Sequence, residues 1–211
     1  MLKVLLIRHG ETDWNQEGRV QGSGSNRELT DTGKQQAESI GLRLKQEKIK
    51  AIYSSPLRRA LNTAQAIAHH HQVKVQIEPS LKEIDAGELE GIKIEKIGSF
   101  LNHLLAKERG EESISELYGG EPLAVVQQRA WSTIQRLLDK HGDGVIVVVS
   151  HYFIILSIIC SVLSLPPSEM GRLRFDTGSI SAIVFEERSA RLTLFNDTCH
   201  LTAGEKISGK G

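Results

Sequence analysis

Short apolar runs alternate with helical patterns along most of the chain. Residues 3–7 and 51–53 are apolar segments of strand length, and each is followed by a stretch with helical periodicity, over 34–47 and 56–68. In the second of these, Leu57, Ala60, Leu61, Ala64, Ile67 and Ala68 fall on one face. Ser55 is expected as its N-cap, with Pro56 at the first helical position. A third strand is expected near 73–77, then a polar, helix-compatible stretch over about 92–109 and a helix over about 123–139. A β-branched strand at 145–149 and an apolar helix at about 153–163 follow. Two alternating segments, 179–186 and 191–196, have the pattern of a hairpin. The order predicts an α/β fold: a mostly parallel central sheet flanked by helices on both faces, a small helical cap excursion over about 92–122, and a late antiparallel hairpin. A single domain is expected over 1–201, with a flexible tail at 202–211.

One segment complicates this picture. Residues 145–165 carry no Asp, Glu, Lys or Arg and match the length of a bilayer span. Ser150 and His151 interrupt the run where a buried parallel strand would end, so a strand followed by a buried helix is the better expectation. No membrane contact is expected. The opening MLKVLLIR reads as a first strand, because its arginine arrives too early for a secretory signal.

Composition narrows the function classes. With Lys plus Arg equal to Asp plus Glu, at 26 each in 211 residues, no global field draws in nucleic acid. Any anion site must be built locally. Cys160 and Cys199 have neither zinc spacing nor a disulfide framework, which suits the cytoplasm.

Open α/β sheets bind ligands at the carboxyl ends of their strands. Here the first strand runs into Arg8, His9 and Gly10, the second into Ser54, Ser55 and the pair Arg58 and Arg59, and the strand at 145–149 into Ser150 and His151. Guanidinium groups offer planar forks for phosphate oxygens, glycine permits close backbone approach, and imidazole is a nucleophile at neutral pH. The set suits a phosphomonoester. Helical periodicity does not separate Arg58 from Arg59. A general acid is also needed, and the segment LKEIDAGELEG offers Glu83, Asp85, Glu88 and Glu90. Leu81 and Ile84 favour Glu83, because burial keeps a carboxylic acid protonated longer. The triplet His69 to His71 reads as a solvated helix end.

The stretches RHGETDWN, RVQG, LTDTGKQQA, YSSPLRRALNTA, EIDAGELEG, GGEP, VVVSH and NDTCHL together resemble the histidine phosphatase superfamily, in its phosphoglycerate-mutase-like branch. The similarity covers about 3–201. It implies His9 as the phosphorylated nucleophile, Arg8, Arg59 and His151 as holders of the phosphoryl oxygens, and Glu83 as the acid that protonates the leaving group. Arg59 is preferred to Arg58 because the matching arginine directly precedes an alanine. Asn15 matches a phosphate-contacting position; Thr12, Gln21 and Gly22 match positions lining the substrate; Tyr152 and His200 fall near the pocket. No cofactor or metal is implied, and a homodimer is compatible with the resemblance.

Within that branch, the short EIDAGELEG segment looks like the phosphatases, which transfer to water, rather than the mutases. The ending NDTCHL resembles both α-ribazole phosphatases and metal-independent phosphoserine phosphatases, although the latter carry a histidine where this chain has Ala86. The expected substrate is a small phosphorylated metabolite. The loop QGSGSNRELT is about one residue longer than usual and lacks the usual acidic residue and proline. Tyr152, where glycine is common, either narrows the pocket or offers a hydroxyl. Competing readings are a mutase, a catalytically inactive binding module of the same fold, and an aspartic protease suggested by DTG at 31–33 and 176–178. The last is rejected because the first DTG heads a helical pattern, where Thr30 or Asp31 caps.

Overall fold

The structure, a computed structural model, describes residues 1–96, 119–186 and 189–201. Six strands form one sheet: β1 (Leu2–Arg8), β2 (Ile49–Ser54), β3 (Val75–Ile77), β4 (Gly144–Ser150), β5 (Ile180–Glu186) and β6 (Ser189–Asp197), in the order β3-β2-β4-β1-β5-β6. The first four are parallel, and β5 and β6 close the sheet as the expected antiparallel hairpin.

Near-continuous apolar runs in β1 and β4 bury both faces of the sheet, as parallel strands require. Val4, Leu6, Ile146 and Val148 pack on one face against α4 (Leu123–His141) and α5 (Tyr152–Val162). Leu5, Ile7, Val147 and Val149 pack on the other against α2 (Asp31–Leu44) and α3 (Arg58–His69). One-turn α1 (Asp13–Gln16) caps the exit from β1.

The position of β4 sets up the site. The chain passes from β1 to β2 leaving a slot between them, and β4 later fills it, pairing Arg8 with Ser150 and Ser54 with Val149. The residues just beyond these three strands, His9, Ser55 and His151, therefore emerge side by side at one edge of the sheet.

Two helix starts differ from expectation. α2 begins at Asp31 rather than Lys34, because the Thr30 hydroxyl accepts from Gly33 N at 3.0 Å. The first DTG is thus a helix start, which removes the protease reading. α3 begins at Arg58, so Ser55 is not its N-cap and Pro56 not its first residue. The Ser55 hydroxyl instead accepts from Leu57 N at 3.3 Å, closing a tight turn that holds Leu57 extended. The apolar stretch at 145–165 resolves into β4 and the 11-residue α5. Among the described residues no helix is long and apolar enough to cross a membrane. Most of the expected cap, at 97–118, and the expected flexible tail at 202–211 lie outside the described residues.

Candidate active site

His9 follows β1 and is held on both sides by backbone: its N–H donates to Ser150 O at 3.1 Å and its carbonyl accepts from Gly178 N at 3.0 Å. Gly10 N donates to the Thr63 hydroxyl at 3.1 Å. The backbone here tolerates no side chain. A Cβ on Gly10 would lie 2.4 Å from Gly33 O, and one on Gly33 would lie 2.1 Å from Glu11 O. Both DTG sequences thus end in a glycine that braces the nucleophile loop, Gly33 by close approach and Gly178 by hydrogen bond.

The His9 ring is buried, and its Nδ1 lies 2.7 Å from the Gly10 carbonyl. A carbonyl only accepts, so Nδ1 carries the proton and Nε2 keeps its lone pair. Among the described residues nothing hydrogen-bonds Nε2. Burial, with the nearby charges of Arg59 and Arg8, holds the His9 pKa well below the usual histidine range despite the Gly10 contact. The ring is neutral at physiological pH.

His151 stands beside it, with ring centroids 5.1 Å apart and planes inclined by 58°. Arg59 Nε donates to His151 Nδ1 at 3.2 Å, and His151 Nε2 meets the Ser55 hydroxyl at 2.7 Å. Since the guanidinium can only donate, the neutral His151 carries its proton on Nε2 and gives it to Ser55. Burial first, then Arg59, His9 and Arg8, depress this imidazole well below its ordinary pKa.

The two adjacent arginines separate cleanly. Arg59 is completely buried, whereas Arg58 points outward to Glu28 at 2.7 Å. The Arg58 backbone N–H is taken at 2.8 Å by the Asn26 side chain, which so caps α3 from a loop without the usual acidic residue. Burial lowers the Arg59 pKa to about 10, still fully cationic. Arg8 donates Nη1 to Phe175 O and lies over the Tyr152 ring, 5.0 Å from its centroid. Among the described residues neither Arg8 nor Arg59 has a carboxylate within salt-bridge distance; both spend their bonds on carbonyls or an imidazole. The buried donors Arg8 Nε, Gln21 Nε2 and Ser25 Oγ have no partner among the described residues. This region is cationic and rich in hydrogen-bond donors, a chemistry suited to an anion.

The four candidate acids also part. Glu83 is buried, its two oxygens accepting from Ile84 N at 2.9 Å and Phe153 N at 3.3 Å. Burial outweighs those bonds and the arginine charges, and raises its pKa. Asp85 is exposed and binds Gly87 N, Glu88 is exposed, and Glu90 binds backbone N–H groups of the loop after Gln21. The Glu83 segment is itself clamped by Arg129, which reaches Ser80 O, Lys82 O and Glu83 O at 2.8, 2.7 and 3.2 Å while paired two-fold with Glu121.

The residues expected to line the substrate have varied settings. Thr12 is fully buried and forms a capping box with Asn15, whose Oδ1 faces back to Thr12. Gln21 Oε1 is tied to Thr12 at 3.1 Å. Gly22 gives its carbonyl to Arg59, and a Cβ there would lie 2.9 Å from Ala86. The Tyr152 hydroxyl donates to Leu173 O at 3.2 Å, and Arg8 lies over its ring, 5.0 Å from the centroid. His200 stands behind the nucleophile loop, with Nε2 2.9 Å from Gly178 O. Thr63, Gly33, Gly178 and the Arg129–Glu121 pair carry no role in the sequence reading, where Ser55 was expected as a helix cap and Glu90 as a candidate acid rather than as a support of the loop after Gln21. GGEP and the two DTG triplets were the available signals for three of them.

Residues 4–198 match the sequence model of the histidine phosphatase superfamily (branch 1). The chain belongs to this superfamily. It is 34% identical to phosphoserine phosphatase 1 of Hydrogenobacter thermophilus over 95% of each chain. It is 32% identical to a probable phosphoglycerate mutase of Salmonella paratyphi A, over 89% of this chain and 86% of that one. Among solved structures, phosphoserine phosphatase of Entamoeba histolytica in complex with 3-phosphoglyceric acid superposes with a TM-score of 0.85 at 34% identity, covering 96% of this chain and all of that one. The enzyme class is that of the superfamily's phosphatases, hydrolysis of phosphomonoesters through a phosphohistidine.

Proposed function

We propose that His9 Nε2 attacks the phosphorus of a small phosphorylated metabolite, with Arg8, Arg59 and His151 around the phosphoryl oxygens and Glu83 as the acid. The observation that carries this reading is the pairing of a neutral imidazole, its lone pair left open by the Gly10 contact, with two guanidiniums that lack carboxylate partners. In the first step the N–P bond forms as the P–O bond breaks, and Glu83 gives its proton to the departing oxygen. In the second, water attacks the phosphohistidine, returns a proton to Glu83, and inorganic phosphate leaves. Charge stabilisation by fixed, desolvated donors supplies much of the rate, since proton transfer alone contributes roughly 10²–10⁴-fold.

The two phosphoserine phosphatase relatives favour a small carboxylated phosphomonoester, and the Salmonella relative keeps phosphoglycerate interconversion as a second reading. Two free cysteines suit a cytoplasmic setting.

The wild type should hydrolyse para-nitrophenyl phosphate in excess chelator, and His9→Ala should not. Acid-quenched enzyme should carry phosphate on histidine; label on serine or aspartate, or loss of activity with chelator, would overturn the reading. A panel of phosphoserine, phosphoglycerates and α-ribazole phosphate then ranks substrates, and tests mutase against phosphatase.

A further inference from the structure

The loop at 22–25 is gripped from two sides. On its N–H side, the Glu90 carboxylate accepts from Gly22 at 3.1 Å, Gly24 at 3.1 Å and Ser25 at 2.6 Å. On its carbonyl side, Arg59 donates Nη2–H to Gly22 O at 3.0 Å and Nη1–H to Ser25 O at 2.9 Å. The same guanidinium donates to His151 Nδ1, and His151 passes its remaining proton to Ser55. An unbroken chain of bonds thus leads from Glu90, through the loop, to the two groups that flank His9.

We propose that Glu90 is a positioning residue for phosphoryl transfer: it fixes the loop whose carbonyls set the plane of the Arg59 guanidinium, and through Arg59 it fixes the tautomer and orientation of His151. The proposal rests on the phosphatase reading of the site. A carboxylate bonded directly to Arg59 would neutralise it and cover its donors. With peptide groups interposed, the negative charge still favours the cation, and among the described residues two of the five guanidinium N–H groups stay unpartnered for phosphoryl oxygens. Hydrogen-bonded chains of this kind also polarise one another, so weakening one end loosens the other. Glu90 reaches no reacting group itself; it acts through the loop and the Arg59 guanidinium.

The test is a double-mutant cycle on para-nitrophenyl phosphate hydrolysis. Glu90→Gln keeps the shape but sets an amide NH₂ against backbone N–H groups. It should lower kcat by roughly 10–100-fold, the scale of an ångström-level misplacement, with KM within about threefold. In an Arg59→Lys background the same substitution should add little, since its route of action is already cut. Inhibition by orthovanadate should weaken in parallel in the first background and stay level in the second. Gly24→Ala supplies an independent variant, because its Cβ would fall 2.4 Å from the Glu90 carboxylate and dislodge it without changing charge; it should act in the same direction. A kcat within twofold of wild type for both variants, or losses that multiply in the Arg59→Lys background, would overturn the proposal. Wild-type enzyme without activity, or Arg59→Lys as fast as wild type, would instead sink the underlying phosphatase reading.

Discussion

Replacing Arg129 by methionine tests whether the acid is held from behind. Arg129 makes five bonds, two to Glu121 and one each to the carbonyls of Ser80, Lys82 and Glu83. The pair is mostly buried, with 22% and 18% of the two side chains exposed. Charge-assisted hydrogen bonds are worth about 1.5–3 kcal/mol each, but five of them do not add, because water reaches some of the freed groups. The better guide is the cost of removing one partner of a buried pair, about 3–5 kcal/mol. Exposure favours the lower end. For a domain of this size each 1 kcal/mol shifts Tm by about 2–4 °C, so a fall of roughly 6–15 °C is expected by calorimetry. Below that transition, kcat for an alkyl phosphate should drop about tenfold, as the Ser80–Glu83 segment loses its anchor and the Glu83 carboxyl drifts; an ångström of drift costs up to about 10²-fold. A variant that melts with wild type, or melts early yet turns over alkyl phosphates at the wild-type rate, would refute the argument.

Glu83→Gln should slow alkyl phosphates by roughly 10²–10⁴-fold while sparing para-nitrophenyl phosphate, whose leaving group needs little protonation; equal losses on both would remove Glu83 from the acid role. The kcat/KM profile should be bell-shaped, rising on the acid side below the usual histidine pKa as His9 deprotonates and falling above the usual carboxylate pKa as Glu83 loses its proton. Burial of neutral His9 and His151 also makes folding pH-dependent. Their folded pKa values are depressed, so their contribution is fully present above about pH 6.5 and is lost as pH falls and the unfolded chain takes up protons the native one refuses. The urea midpoint should decline less between pH 7 and 5 in His9→Ala than in wild type. Finally, Gly33→Ala, with its Cβ 2.1 Å from Glu11 O, should abolish activity and lower Tm; wild-type behaviour would show that the nucleophile loop is not packed as described.

The sheet, its helices and the placing of His9 and His151 at strand ends were legible because each leaves a local mark, an apolar strand and then a polar residue at its carboxyl end, whereas the choice of Arg59 and the role of Glu83 came from the family resemblance. Arg58 and Arg59 look alike to helical periodicity, since the face a side chain meets depends on where α3 begins, and Ser55 moved that start by forming a turn. The supporting residues were hidden for a different reason. Glu90, Arg129 and Thr63 act on backbone groups distant in sequence, and no local pattern reports a carbonyl left without a partner. Gly33 and Gly178 sat in a conspicuous triplet that pointed to the wrong chemistry.

The late arrival of β4 between β1 and β2 has a consequence for biosynthesis. Until residue 150 has been made, β1 and β2 each present an unfilled edge to the other across an empty lane, and neither histidine has its neighbour. Exposed strand edges of this kind recruit other chains. Catalytic competence therefore cannot precede the filling of that lane, and emergence of turnover from a ribosome-bound or refolding chain would set a latest time for its closure.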